Sequence, residues 1–227
     1  PVLKRQIVAD VKDADAIRRL AEDCDLLTFE IEQANSETLD ELEKSGKAVH
    51  PSPATLRILQ DKFHQKSFLR SKGLPVPDFR EVAGPADLQA GLRDFGCPAL
   101  LKARRDSYDG RGNALIADAG QADAALVAFN GRPLMLERFV DFEKEISVIA
   151  ARSTTGEIRT FPVGENAHAD NILRTTIVPA RIDPAVARRA AALAAETLSA
   201  LKGAGVFGIE MFLDRRGGVL INEIAPR

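Results

Sequence analysis

Two apolar runs near the end of the chain, Val206-Phe207-Gly208-Ile209-Glu210-Met211-Phe212-Leu213 and Val219-Leu220-Ile221-Asn222-Glu223-Ile224, are each interrupted by a carboxylate. Both read as core strands, and Arg215-Arg216-Gly217-Gly218 between them makes an antiparallel hairpin the simplest connection. Acids inside strands that are otherwise core need a counter-charge. With a hairpin loop of two or four residues, pairing puts Glu210 and Glu223 on the same face of the ladder, opposite or diagonal to one another. Two carboxylates with the Asn222 amide oxygen nearby suit a hard, oxygen-loving Mg2+ ion that bridges phosphates. An acid pair on a wet sheet face is the alternative.

Upstream, strands and helices alternate, the pattern of an α/β (α+β) fold. Gln6 to Ala9 is a short strand candidate, Asp13 to Ala21 a helix with an Asp cap, Asp25 to Phe29 a second strand, and Ser36 to Lys44 a helix ended at Gly46. This is the back half of a small parallel unit whose functional side chains gather at strand C-termini, where Glu30 and Glu32 lie. His50-Pro51-Ser52-Pro53 punctuates the chain, so residues 1–52 are expected to form a partial N-terminal α/β domain and 53–227 a second one. Helices follow at roughly 53–59 and 61–72. A lid-sized module covers about 77–137, with strands near 79–82, 98–103, 114–117 and 134–137 and helices near 85–94 and 120–129. A body covers about 138–227, where Lys144–Arg152 and Glu157–Val163 alternate as antiparallel strands and Asp183-Pro184 opens a long helix to Lys202.

Between two lid strands lies Ser107-Tyr108-Asp109-Gly110-Arg111-Gly112-Asn113, whose glycines let backbone N–H groups approach an anion. It reads as a phosphate cradle or, equally, as a plain hairpin turn. The Walker pattern and a G-x-G-x-x-G after the first strand are both absent. Lys102 ends the apolar run Pro98-Ala99-Leu100-Leu101, where its ammonium can point at whatever the loop holds, whereas Lys62, near a helix start, reads as a solvated lysine. Glu137 and Glu145 flank a charged connector, Arg138-Phe139-Val140-Asp141-Phe142-Glu143-Lys144. It is either a hinge offering backbone to an adenine edge and an acid to a ribose, or simply solvated. His168, placed after a strand, is a surface histidine or a ligand.

Composition narrows the class. Thirty-one basic and 33 acidic residues leave a formal charge of -2, so no general footprint for nucleic acid or an anionic membrane exists. Cys24 and Cys97 lack metal-ligand or disulfide-framework spacing, and a reduced, cytoplasmic chain fits them. No apolar run reaches membrane-spanning length. The first residue is not Met, and the final Asn222-Glu223-Ile224-Ala225-Pro226-Arg227 runs out of a strand, so the chain reads as clipped at both ends.

Taken in order, Gln60-Asp61-Lys62, Leu101-Lys102, Tyr108-Asp109-Gly110-Arg111-Gly112-Asn113, Leu136-Glu137-Arg138-Phe139-Val140, Lys144-Glu145-Ile146-Ser147, Glu165-Asn166-x-His168, Gly208-Ile209-Glu210-Met211-Phe212 and Asn222-Glu223-Ile224-Ala225-Pro226-Arg227 resemble the ATP-grasp enzymes. Within them the chain is most similar to the N5-carboxyaminoimidazole ribonucleotide synthetases, which also serve as the ATPase part of phosphoribosylaminoimidazole carboxylase. The Tyr-Asp-Gly-Arg-Gly loop sets it apart from the formate-using glycinamide ribonucleotide transformylases and the biotin carboxylases.

The resemblance implies an ATP-grasp fold, preceded by the remnant of a Rossmann-like, biotin-carboxylase-like N-terminal domain and lacking its C-terminal part. It implies that Lys62 and Lys102 contact ATP phosphates, that Ser107 to Asn113 close over them, and that Glu137, Arg138, Phe139 and Val140 hold the adenine. Glu145 would take the ribose, and His168 the nucleotide side of the cleft. Glu210, Glu223 and Asn222 would hold Mg2+, or Mn2+ in its place. Tyr108 and Asp109 would face aminoimidazole ribonucleotide, with Lys102 and Arg111 beside the chemistry. The implied reaction is attack of bicarbonate on ATP to give carboxyphosphate, then carboxylation of the aminoimidazole amine, by a cytoplasmic homodimer in purine biosynthesis. A nucleotide-binding module without turnover and a formate-using relative are the competing expectations.

Overall fold

The computed structural model describes residues 5–107, 112–169 and 172–227. The chain opens with α1 (Ala14–Glu22), whose N-cap Asp13 accepts from the Asp15 and Ala16 amides, then β1 (Leu26–Leu27), α2 (Ser36–Lys44) and β2 (Ala48–Val49). β1 and β2 pair in parallel and pack with α2 and the next helix around Ala21, Leu27, Leu39, Val49 and Leu56. Gln6–Ala9 does not form the expected strand. It has no ladder partner, and its Val8 is 91% exposed, so nothing offsets the cost of ordering it.

Two helices follow, α3 (Pro53–Leu59), capped by Ser52, and α4 (Lys62–Ser71), capped by Asp61. The lid comprises β3 (Phe79–Val82), α5 (Pro85–Phe95), β4 (Ala99–Ala103), β5 (Asn113–Ile116), a 3-10 turn (Ala119–Gln121), α6 (Ala122–Ala128) and β6 (Leu134–Arg138). Its strands run in the order β3-β6-β4-β5, all antiparallel, and bury Leu101, Ile116 and Leu136 against α6 and against Leu88 and Leu92 of α5.

The body contains β7 (Phe142–Arg152), β8 (Ile158–Thr160), β9 (Gly164–Ala169), β10 (Ile172–Ile177), α7 (Pro184–Leu201), β11 (Gly205–Asp214) and β12 (Val219–Pro226). The sheet order is β10-β9-β7-β11-β12, with β8 also on β7. α7 covers one face through Leu193, Ala194 and Leu198 against Ile146, Val148, Phe207 and Ile209. β9 and β10 were not expected as strands. Their polar residues, Glu165, Asn166, Arg174, Thr175 and Thr176, lie on a sheet end that lacks the apolar alternation marking a half-buried strand. His168 therefore sits inside a strand rather than after one.

The final hairpin also departs from expectation. Leu213 pairs with Val219, so five residues, 214–218, connect the last paired positions. An odd-length loop alone would set Glu210 opposite Asn222 and turn Glu223 to the other face. Instead the ladder skips a residue between Glu210↔Glu223 and Met211↔Ile221. Asn222 is the extra residue of a β-bulge, and that bulge restores the facing pair of acids.

Candidate active site

A cleft of about 820 Å³ lies between the body sheet, the lid and the segment after β1. Its lining includes Lys62, Ser107, Asn113, Glu145, His168, Glu210, Asn222 and Glu223, with Glu30 and Glu32 on the far wall. Each element contributes through its register. β7 carries Glu145 opposite Asn166 of β9 and Phe212 of β11, and β11 carries Glu210 between Ser147 and Glu223. On the next residue of the same β9 face, His168 Nδ1 meets a Glu145 carboxylate oxygen. Asn166 Oδ1 accepts from the Ser147 and Thr176 hydroxyls, which fixes the strand beneath them.

Lys62 is the first residue of α4, placed by the Asp61 cap and by its own N–H donating to the Arg104 carbonyl at 2.8 Å. Its Nζ donates to both Glu223 oxygens at 2.5 Å. Burial works against this ammonium, but Glu223, Glu32 and Glu210 outweigh it and hold its pKa above the usual lysine range. Glu223 is pulled the other way: burial opposes its charge, and Lys62, then Lys102 and Lys66, keep the carboxyl below its ordinary value. Glu210 has no such counter-ion among the described residues. Burial and the facing Glu223 raise its pKa, and His168 and Lys62 offset them only in part. Glu145 is raised by burial against the opposing pull of His168 and Lys102.

Beneath the cleft, Glu137 is fully buried with an ammonium on each oxygen, Lys102 at 2.6 Å and Lys66 at 2.7 Å. Burial penalises its charge, yet Lys102 and Lys66 pull its pKa down to about 2. Its side chain is thus committed to lysines, and its backbone lies within the lid ladder between Phe79 of β3 and Leu100 of β4. Lys102, Glu137, Arg138, Phe139 and Val140 are not among the described residues lining the cleft, and the Lys102 ammonium turns to Glu137 rather than to the loop because that buried carboxylate needs a counter-charge. Arg138 turns outward to Asp78 and the Phe95 carbonyl. Gly112 has φ 96°, and a Cβ there would come within 2.7 Å of Ser107 Cβ, so this end of the loop requires glycine. Tyr108, Asp109, Gly110 and Arg111 lie outside the described residues.

Sequence reasoning missed Gln65, Lys66 and the capping Asp61, all buried. A signal existed: Lys62, Gln65, Lys66 and Leu69 fall at i, i+3, i+4 and i+7 on one helix stripe, and Leu69 is apolar and fully buried.

Among the described residues, no three His, Cys, Asp or Glu side chains converge as a self-sufficient metal site. Glu210 and Glu223 with Asn222 are an incomplete oxygen set, of the kind Mg2+ completes with water and substrate phosphate. In this arrangement Lys62 occupies both Glu223 oxygens, while Lys102 and Lys66 stand behind the cleft on Glu137.

This arrangement has close parallels. The family model for the ATP-grasp domain matches residues 67–227, and that for the ribonucleotide synthetase preATP-grasp domain matches residues 2–60. The N5-carboxyaminoimidazole ribonucleotide synthase of Brucella melitensis biotype 1 is 42% identical over 100% of this chain and 63% of its own length. The phosphoribosylaminoimidazole carboxylase of Ogataea methanolica is 38% identical over 99% of this chain and 42% of its own. The chain thus spans roughly half the length of such relatives. Among solved structures, N5-carboxyaminoimidazole ribonucleotide synthetase from Thermotoga maritima superposes with a TM-score of 0.86 at 40% identity, over 100% of this chain and 58% of that one. Carboxyaminoimidazole ribonucleotide synthase from Aspergillus clavatus, complexed with ATP, reaches 0.92 at 33% identity, over 99% and 59%. The same enzyme with ADP and 5-aminoimidazole ribonucleotide reaches 0.91 at 32%, over 99% and 58%. With its grasp domain preceded by a ribonucleotide-synthetase preATP-grasp segment, the chain belongs to the ATP-grasp family.

Proposed function

We propose that this chain is the nucleotide-binding and carboxylating part of an enzyme that uses ATP and bicarbonate to convert 5-aminoimidazole ribonucleotide to N5-carboxyaminoimidazole ribonucleotide, with ADP and phosphate as products. The observation that carries this reading is the convergence of Lys62, Glu145, His168, Glu210, Asn222 and Glu223 on one cleft roofed by Ser107 and Asn113. The relatives crystallised with ATP, or with ADP and the aminoimidazole ribonucleotide, support the choice of substrates. The lid core, which shares no residue with the body core, supports the division of lid at about 77–137 from body at about 138–227, and an N-terminal core of its own, which reaches across residue 52 only through Leu56 of α3, supports the first domain. A cytoplasmic homodimer belongs to the same proposal and rests on the family resemblance.

In this reading Lys62 releases Glu223 and turns to the polyphosphate, and Lys102, held from behind by Glu137, approaches it from the lid. Glu145 accepts from the ribose hydroxyls, its orientation fixed by His168. Backbone groups of Arg138 to Val140 meet the adenine edge. The facing carboxylates fit a divalent cation because Glu210 lacks a counter-ion among the described residues and Asn222 offers an amide oxygen beside them. Mg2+, or Mn2+, held by Glu210, Glu223 and Asn222 would neutralise phosphate charge. Phosphoryl transfer from ATP to bicarbonate needs positioning and charge neutralisation rather than a side-chain nucleophile. The lid loop, including Tyr108, Asp109 and Arg111, would exclude water from carboxyphosphate while the ribonucleotide amine captures its carboxyl group.

The test is ADP release by the full-length protein containing this chain, with Mg2+ and bicarbonate, with and without aminoimidazole ribonucleotide. Stimulation by that nucleotide, lost in Lys102→Ala and in Glu223→Ala, is expected. ATP binding without stimulation would leave only a nucleotide-binding module, and stimulation that requires formate would move the chain to the formate-using relatives.

A further inference from the structure

A buried polar pair stands apart from the cleft side chains. Gln65 and Lys66 are 1% and 2% exposed on the inward stripe of α4, where leucine would ordinarily serve. Both spend their polar atoms on the edge strand β12. Gln65 Nε2 donates to the Ile224 carbonyl at 2.9 Å, and its Oε1 accepts from the Ile224 amide at 2.9 Å. The side-chain amide thus imitates the neighbouring strand that β12 lacks on that edge. Lys66 Nζ donates to the Asn222 carbonyl at 2.9 Å while pairing with Glu137. The residues so gripped, 222 and 224, bracket Glu223, and Asn222 is the bulge itself.

Without the bulge, Glu223 would face away from Glu210. We propose that Gln65 and Lys66 are positioning residues that hold the Asn222 bulge, and thereby keep Glu223 and Asn222 turned into the cleft opposite Glu210 as a divalent-cation site. This deepens the proposed function and rests on its assignment of the cation to those residues. Hydrophobic substitution of a buried ion pair is often neutral for stability, so a wish for stability alone does not account for Lys66.

Two substitutions of similar volume separate positioning from charge. Lys66→Met removes a cation that lies near Glu223, an effect which by Coulomb's law tightens cation binding. Loss of the bulge acts in the opposite direction. Gln65→Met changes no charge and removes the two hydrogen bonds to Ile224 together with a longer one, 3.4 Å, from Nε2 to the Leu59 carbonyl. The measurement is Mn2+ binding to the full-length protein in the presence of ADP, followed by electron paramagnetic resonance, with ADP affinity in the absence of metal and thermal unfolding measured alongside. Both variants are expected to bind Mn2+ about 10- to 100-fold more weakly, the usual loss when the support of a metal ligand is removed, with metal-free ADP affinity unchanged in the charge-neutral Gln65→Met. Unchanged or tighter Mn2+ binding in folded Gln65→Met overturns the proposal, even if unfolding temperatures fall. Gln65→Met also decides if Lys66→Met disagrees with it or does not fold. Failure of the unsubstituted protein to bind Mn2+ with ADP would instead remove the cation assignment itself.

Discussion

Glu137 holds one buried carboxylate between two buried ammonium groups, and its charge state follows from that alone. Burial raises the cost of the anion, but Lys102 and Lys66 together pull the pKa from the ordinary 4.5 to about 2. A depressed folded pKa contributes stability that is present above about pH 4.5 and lost as pH falls towards 2. The difference corresponds to about 3 kcal/mol. Glu137→Gln leaves two buried cations with a neutral acceptor, and is expected to cost about 3–5 kcal/mol in urea unfolding at pH 7. The gap between variant and parent should narrow as pH drops below 4. A constant gap would mean that Glu137 is not ionised in the folded protein. Glu210 presents the opposite case, a carboxylate facing a like charge across the ladder with no cation of its own among the described residues. Glu210→Gln should stabilise the metal-free protein by about 0.5–1 kcal/mol and weaken Mn2+ binding. Loss of stability on this substitution would count against an uncompensated acid pair.

At the scale of elements, α4 organises the site, because one helix supplies Lys62 to the cleft and Gln65 and Lys66 to β12. Its first turn depends on Asp61, which is 1% exposed, caps the Phe63 and His64 amides, and also accepts from Arg104 and Arg105. Asp61→Ala removes cap and counter-charge together and is expected to cost about 3 kcal/mol or more, whereas Asp61→Asn keeps a capping oxygen and should cost less. Equal losses in urea unfolding would show that the cap contributes nothing. The helices were legible beforehand because their signals are local: Asp13, Ser52 and Asp183 cap the helices predicted beside them, and α2 spans Ser36–Lys44 as predicted. What escaped was set by tertiary partners. β9 and β10 carry polar residues on both faces, and the Asn222 bulge is invisible in a string of residue types because it exists only relative to β11. Lys62, Glu145 and His168 have no local mark either. Their roles were reached through family resemblance, and the cleft that gathers them comes from the register of β7, β9 and β11 and from the placement of α4.

Across the whole molecule, the apolar cores of lid and body share no residue, and between them run mainly polar ties. These are Lys66 to Glu137, Arg104 to Asp61, and the Lys62 amide to the Arg104 carbonyl, with the edge-on ring pair Phe63 and Phe79 beside them. The exposed pair Lys12 and Asp106 joins the N-terminal segment to the lid and contributes little by itself. A lid with its own core, tied to the body through one helix, is built to shift as a unit. A nucleotide spanning Lys62, Lys102 and the body acids would touch α4, lid and body at once, so it should couple their opening. At about 100 times its dissociation constant, Mg-ADP should add about 2.7 kcal/mol to the stability of the full-length protein. Hydrogen exchange should then slow in β4 and β5 of the lid together with β11 and β12 of the body. Protection confined to the body strands would show that nucleotide binds without engaging Lys102, and the lid would lose its place in the site.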